Sequence, residues 1–423
     1  EFHERHAIDD VLLAWAARLR KTTRPDLTVI VMSATLAAGP VARFLDVPEV
    51  RSEGRAYPVE LAYEALSDKR PLAAQVASAV GTEAKRPDSG DLLVFLPGLR
   101  VIERCEGALR ELAREHRLDV LPLHASLTPE ATRDALRPRG GGVRRVLLST
   151  NIAESSVTLD GVRTVIDAGL HNVARSDPWT GLSALEEEPI PRSSADQRAG
   201  RAGRQAPGRC LRLYSEHDYA RRPFALDPEL VRVDLCEYVL ALAVLGVPRL
   251  EDLEWLDAPD PAALARSRAV LQLLGAFDLG GRLTAAGRRF AALPVHPRLA
   301  ALLEASAARG AGEAGAWAAA ALSEDVRLSG GGRDTESDVL ALMERARGGG
   351  GDLPGAVRKR VEQSARDLLR LVPNARTTSR VDAGVAVRAA LLHAFPDRVA
   401  LRREGDPRRL MLCDGLGAEL ADS

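Results

Sequence analysis

The chain has 423 residues, too many for one ordinary hydrophobic core and enough for roughly three domains of about 150 residues each. Hydrophobic residues make up 46% and charged residues 28%, a balance that supports packed globular domains and excludes wholesale disorder. A formal net charge of -1 excludes a global positive field, so a nucleic-acid partner would have to be held by local basic clusters and backbone amides. No run reaches the ~18 apolar residues of a membrane span. The N-terminus has no signal-peptide character, which makes the cytoplasm the expected compartment.

In chain order, Ile8, Leu12, Trp15 and Leu19 share one helix face. The continuous apolar run Leu27 to Met32 reads as a buried parallel strand, followed by Ser33-Ala34-Thr35 and a helical run through Phe44. After Pro58 a second alternating series begins. Helices are expected near 72–80, 100–115 and 129–136, strands at 91–96, 120–123, 145–149, 164–167 and 209–214, with a helix carrying Gln197 to Arg204. Such alternation implies parallel βαβ units, with ligands at the carboxyl ends of the strands. Residues 58–215 form one such domain.

Beyond Ser215, Ala/Leu/Arg-rich helices take over at 230–245, 261–274, 284–292, 298–308 and 316–323. Glycines at 275, 280 and 281 mark a turn, and Gly-rich loops are expected around 329–335 and 348–351, the second mobile. Segments 398–402 and 409–412 read as strands of a further β unit.

Chemistry concentrates in two segments. Gln197-Arg198-Ala199-Gly200-Arg201-Ala202-Gly203-Arg204 places Gln197, Arg201 and Arg204 at i, i+4 and i+7, on one face. Fixed guanidinium forks presented this way suit the charge that spreads over a phosphoryl group in its transition state, and Gly200 and Gly203 would allow close approach. The plain alternative is a solvated basic face. Ser149 to Asp160 is a polar loop after a strand, rich in donors for phosphate, or an ordinary capping loop. The four cysteines form no C-x-x-C pair and read as buried thiols, and the histidines show no metal-ligand spacing. With aromatics at 4%, base stacking on an aromatic platform is not expected.

Together these segments resemble the DEAH-box superfamily 2 helicases of the bacterial HrpB type. Glu1-Phe2-His3-Glu4-Arg5-His6 is similar to motif II without its leading Asp, with Phe where the family commonly has Ala. Ser33-Ala34-Thr35 resembles motif III, Leu93 to Gly98 motif IV, Ser149 to Asp160 motif V and Gln197 to Arg204 motif VI. Leu293 to Leu299 and Ala394 to Ala400 resemble later domain junctions.

The resemblance implies an α/β fold of RecA-like parallel-sheet lobes, with part of the first lobe at 1–57 and the second at 58–215. A winged-helix-like domain (216–292), a helical ratchet (293–393) and the start of a β-barrel-like domain (394–423) would follow. It implies an ATP-dependent 3′–5′ helicase acting on single-stranded or partly duplex nucleic acid, RNA being favoured, as a monomer. Glu1 would be the general base, His3 its link to motif III, Gln197 a water-positioning residue, and Arg201 and Arg204 arginine fingers. Thr158, Asp160 and Gly200 would lie at the nucleotide. Phe95, Pro97, Gly98, Thr150 and Asn151 would hold the nucleic-acid backbone, and Ser33 and Thr35 would couple the lobes. The family carries a β-hairpin near Ser176 to Gly181, although Trp179 by itself reads as a turn residue.

ATP and Mg²⁺ are the implied cofactors, yet no Gly-Lys-Ser/Thr phosphate loop occurs in the chain, nor an Asp before Glu1. The expectation is therefore a fragment of a longer protein, inactive by itself. The alternatives are a non-catalytic nucleic-acid-binding or partner-regulated module and, less favoured, a different ATPase that remodels protein.

Overall fold

A computed structural model describes the chain except residues 34–37, 53–56, 65–68, 87, 155–156, 158, 177–182, 248, 325–336, 349–352, 354, 373–381, 404, 414, 416 and 420–423. Thr35, Thr158, Trp179, the 329–335 loop and most of the 348–351 loop therefore lie outside the described residues. The chain divides into two units. One comprises Glu1–Asp10, Thr23–Asp177 and Leu182–Val233; the other comprises Val11–Thr22, Pro178–Gly181 and Asp234–Ser423.

Helix α1 is Ala7–Lys21 and α2 is Ala38–Leu45. In the first unit α2 is followed by β1 (Val59–Tyr63), α3 (Leu72–Ala84), β2 (Asp91–Phe95), α4 (Leu99–Glu115), β3 (Leu118–Leu123), α5 (Pro129–Leu136), β4 (Arg144–Ser149) and β5 (Val162–Asp167). A hairpin of β6 (Leu170–Ser176) and β7 (Ser183–Pro189) precedes α6 (Arg192–Gly200), β8 (Gly208–Arg212) and α7 (Glu216–Arg221). Six strands form one parallel sheet in the order β1-β8-β5-β2-β4-β3.

Alternation along β2 explains why this sheet is covered twice. Leu92, Val94 and Leu96 pack with Val76, Val80, Ile102 and Leu109 of α3 and α4, while Leu93 and Phe95 pack with Ala199 and Ala202. Successive side chains of a strand point to opposite faces, so a continuous apolar run requires helices on both. Arg145, fully buried on β4, ties the layers together. Its Nε donates to Asp91 at 2.8 Å and its Nη1 to the Leu136 carbonyl at 2.7 Å, while Nη2 donates to the Asp160 carbonyl.

The second unit contains α8 (Cys236–Val244), α9 (Pro261–Leu273), α10 (Ala285–Ala291), α11 (Pro297–Ala308), α12 (Gly312–Ser323), α13 (Asp338–Arg347), α14 (Gly355–Leu371) and α15 (Ala383–Ala394). A three-stranded antiparallel sheet follows, β9 (Ala400–Arg403), β10 (Asp406–Leu412) and β11 (Gly417–Glu419). Helices α11 and α12 are buried almost all round. At Gly315 an added Cβ would lie 2.7 Å from Ser306 Oγ, so the two backbones approach more closely than side chains would allow. Arg298 donates to both Asp397 oxygens at 2.6 Å, which joins the segments around 293–299 and 394–400. Asp234 accepts from Cys236 N at 2.7 Å and from His296 Nε2 at 3.1 Å. Because His296 Nδ1 accepts the Arg298 N–H at 3.2 Å, its Nε2 carries the proton.

Three expectations need correction. Residues 27–32 are not a strand; Ile30 and Met32 are 78% and 73% exposed. An apolar run becomes a strand only when neighbours take its backbone groups, and the described residues before Val59 include no strand for it to pair with. The expected helix 230–245 is a 3₁₀ turn at Glu229–Val231 and then α8, the break falling where Asp234 receives the Cys236 N–H. The segment Gln197 to Arg204 is also not one helix: α6 ends at Gly200 and Arg201–Gly203 tighten into a 3₁₀ turn.

Candidate active site

The carboxyl ends of β2, β4 and β5 gather three loops beside α6, where a parallel sheet presents ligand sites. After β4, Ser149 Oγ donates to the Leu123 carbonyl at 3.1 Å and the Thr150 N–H to the same carbonyl at 3.3 Å, which fixes the departure of the loop. Thr150 is then half-buried and Asn151 exposed. At its far end, Asp160 is exposed, and Gln205 bonds its carboxylate while accepting the Gly161 N–H at 3.0 Å. Gln205 went unnoticed in the sequence because it lies one residue beyond the arginine motif it supports.

Within the Leu93 to Gly98 segment the expected contact residues differ in burial. Phe95 and Pro97 are buried, Phe95 at 0% exposure with the Arg198 guanidinium 4.8 Å from its ring centroid. Neither side chain is offered to a ligand, because the same alternation that builds the sheet turns Phe95 into the core. Gly98 is half-buried, and a Cβ there would lie 2.8 Å from Asn172 Nδ2 of β6.

On α6 the arginines divide the work. Arg198, fully buried, donates from Nε to Glu154 at 3.0 Å, and from Nη1 to Asp167 at 2.8 Å and the Leu170 carbonyl at 3.3 Å. Asp167 also accepts from Tyr214 Oη and Gly169 N, both at 2.9 Å. This buried network was missed in the sequence, although a carboxylate closing an apolar strand at Asp167 is the signal that pointed to it. Arg201, 4% exposed, is turned onto loop carbonyls, with Nη1 on Val157 at 2.7 Å and Nε on Glu154 at 2.8 Å. Arg204 is exposed, so of the two expected fingers only Arg204 is held out.

Burial and the neighbouring Arg204 push the Arg201 pKa down to about 10, while Glu1 and Glu154 work the other way. Gln197 is half-buried on α6. An added Cβ at Gly200 would meet nothing within 4 Å, whereas one at Gly203 would lie 2.6 Å from the Tyr57 carbonyl. Gly200 leaves open surface; Gly203 serves packing.

Glu1 is half-exposed and its Oε2 lies 3.4 Å from Nε2 of half-buried His3, whose side chain is 6% exposed. The Phe2 N–H donates to the Met32 carbonyl at 3.0 Å, which sets this segment beside exposed Ser33. Glu1, His3 and Glu4 offer ligand atoms within 4.8 Å of one another. A hard cation such as Mg²⁺ takes oxygen donors, so this mixed set is a poor match for it: one donor is an imidazole and Glu4 is already hydrogen-bonded to His6 at 2.7 Å. Arg204 and the open surface at Gly200 fit a nucleotide phosphate.

The fold and arrangement are those of a protein family: the helicase conserved C-terminal domain matches residues 75–206, and the chain belongs to the DEAH/RHA helicase family. It is similar to the ATP-dependent RNA helicase HrpB of Escherichia coli (strain K12), 36% identical over an alignment of 423 residues that covers 99% of this chain and 49% of that protein. The ATP-dependent RNA helicase HrpA of the same organism is 36% identical over 311 residues, 71% of this chain and 24% of its own length. Among solved structures, the Escherichia coli DEAH/RHA helicase HrpB matches with a TM-score of 0.81 and 34% identity, over 100% of this chain and 51% of that one. The chain thus spans about half the length of its HrpB relative. No described helix is long and apolar enough to cross a membrane.

Proposed function

We propose that the chain carries part of the nucleotide site and of the nucleic-acid track of an ATP-dependent RNA helicase that translocates 3′ to 5′ on a single strand, as a cytoplasmic monomer. The observation that carries this reading is that α6 leads to exposed Arg204 and the open surface at Gly200 beside the loops that leave the carboxyl ends of the parallel strands. Bound ATP with Mg²⁺ supplies the phosphoanhydride whose cleavage drives movement. Glu1, oriented by His3, accepts the proton of the attacking water, and Gln197 orients that water. Arg204, with Arg201 once it leaves the Glu154 and Val157 carbonyls, stabilises the charge on the transferred phosphoryl group. Thr158, Asp160 and Gly200 border the nucleotide. Thr150, Asn151 and Gly98 contact the sugar-phosphate backbone, with little dependence on base identity. Ser33 and Thr35 relay between the Glu1 segment and the second lobe.

The test uses the chain extended upstream to a Gly-Lys-Ser/Thr loop, with ATP turnover measured with and without single-stranded RNA. We expect RNA to stimulate turnover and Arg204→Ala to lower kcat by about 10³-fold or more. Unchanged turnover in Arg204→Ala would instead favour a non-catalytic phosphate-binding module.

A further inference from the structure

Residues 227–233 lie outside every motif considered above, yet they touch both the segment that carries Glu1 and the β6–β7 hairpin. At one end, the Glu229 N–H donates to the Arg5 carbonyl at 2.9 Å, and its Oε2 accepts the Ala7 N–H at 2.8 Å. The same oxygen lies 3.4 Å from His6 Nδ1. Glu229 thereby holds the first turn of α1 and, together with Asp10 on the Arg5 guanidinium, holds Arg5 in its left-handed backbone conformation (φ 50°, ψ 45°). A non-glycine residue keeps that conformation only when its surroundings enforce it.

At the other end, Arg232 Nη1 donates to the Ala174 carbonyl of β6 at 3.0 Å, and its Nε to the Asp227 carbonyl at 3.0 Å. Between the two ends the backbone is a 3₁₀ turn closed by Arg232 N to Glu229 O at 2.8 Å, with Leu230 buried at 1% exposure. At about 2 Å rise per residue, the two anchors are only ~6 Å apart along the turn. An element this short, hydrogen-bonded and anchored in the core moves as one piece.

We propose that the turn 227–233 is a coupling strap: Glu229 grips the general-base segment and Arg232 grips the hairpin, so that displacement of one is transmitted to the other. The hairpin is tied to the opposite side of the site as well, since Arg198 of α6 donates to the Leu170 carbonyl at its base. Both halves of the candidate site therefore have a tether to the hairpin. Arg232 and Glu229 are positioning residues; neither touches the reacting atoms. The inference rests on the proposed helicase reading for its consequence, and on the hydrogen bonds alone for the linkage.

Two measurements separate these. Hydrogen exchange on the chain as it stands reads the linkage without any activity: Arg232→Ala should speed exchange of the Ala7 amide region by ten-fold or more, and Glu229→Ala should do the same at residues 173–175. Exchange that rises only at the mutated end overturns the strap. In the upstream-extended protein, Arg232→Ala should keep RNA-stimulated ATP turnover within about two-fold while unwinding per ATP of a duplex with a 3′ single-stranded tail falls ten-fold or more. Arg232→Lys should recover part of it, and adding Glu229→Ala to Arg232→Ala should cost no more, because residues acting as one unit are non-additive. Turnover and unwinding falling in proportion would mark Arg232 as merely structural and overturn the proposal. A parent protein without ATP turnover would refute the functional reading, while the exchange result would still decide the strap.

Discussion

Arg198 is fully buried between Asp167 and Glu154, an arrangement whose net contribution to stability is small but whose disruption is costly. Removing one partner of a buried pair leaves an uncompensated charge and typically costs about 3–5 kcal/mol. Arg198→Ala should therefore lower the urea unfolding free energy by that order, and Arg198→Lys should recover little, since one ammonium cannot span Glu154, Asp167 and the Leu170 carbonyl. Nearby, burial and the cations Arg198 and Arg232 push the His171 pKa down to about 4, against the pull of Glu188 and Asp167. A histidine depressed in the folded state binds protons more readily when unfolded, so this contribution to stability is complete above about pH 6.5 and is lost as pH falls towards 4. Thermal melts between pH 7 and pH 4 should show that slope, and His171→Gln should flatten it.

At the scale of elements, glycines separate packing from access. Gly315→Val should destabilise α11 against α12 by about 1–3 kcal/mol through overpacking, read by chemical denaturation. Gly200→Ala, at the open end of α6, should leave stability unchanged or raise it by up to about 1 kcal/mol. If the nucleotide packs there, it should still weaken ATP binding in the extended protein, measured by calorimetry. The β6–β7 hairpin shows how an element escapes local reading. Leu185 to Glu188 is one apolar residue followed by three glutamates, with no alternation to read, and the ion pair between Arg175 and Glu188 exists only once the strands meet. The run at 27–32 errs the other way, since it has strand composition but no partner in the sheet.

For the whole molecule, a net charge of -1 leaves binding to local arginines and to backbone amides. Affinity of the extended protein for single-stranded RNA should fall with salt at a log-log slope of about -0.7 per phosphate neutralised. It should depend little on base sequence, and Arg204→Ala should not change the slope, because Arg204 faces the nucleotide in this reading. A sequence-dependent affinity with a flat salt response would overturn the backbone-contact reading. The sequence by itself determined the βαβ series, the helical second half and the order of the helicase motifs, because apolar periodicity and motif spacing are local properties. Only the tertiary structure decided that Phe95 and Pro97 are buried, that Arg201 rests on loop carbonyls, that Arg198 and Gln205 bond the loops beside α6, and that Glu229 and Arg232 bond the Ala7 and Ala174 segments. Those outcomes depend on which strand face meets which helix, and on hydrogen bonds between residues as far apart as Ala7 and Glu229, which no local pattern encodes.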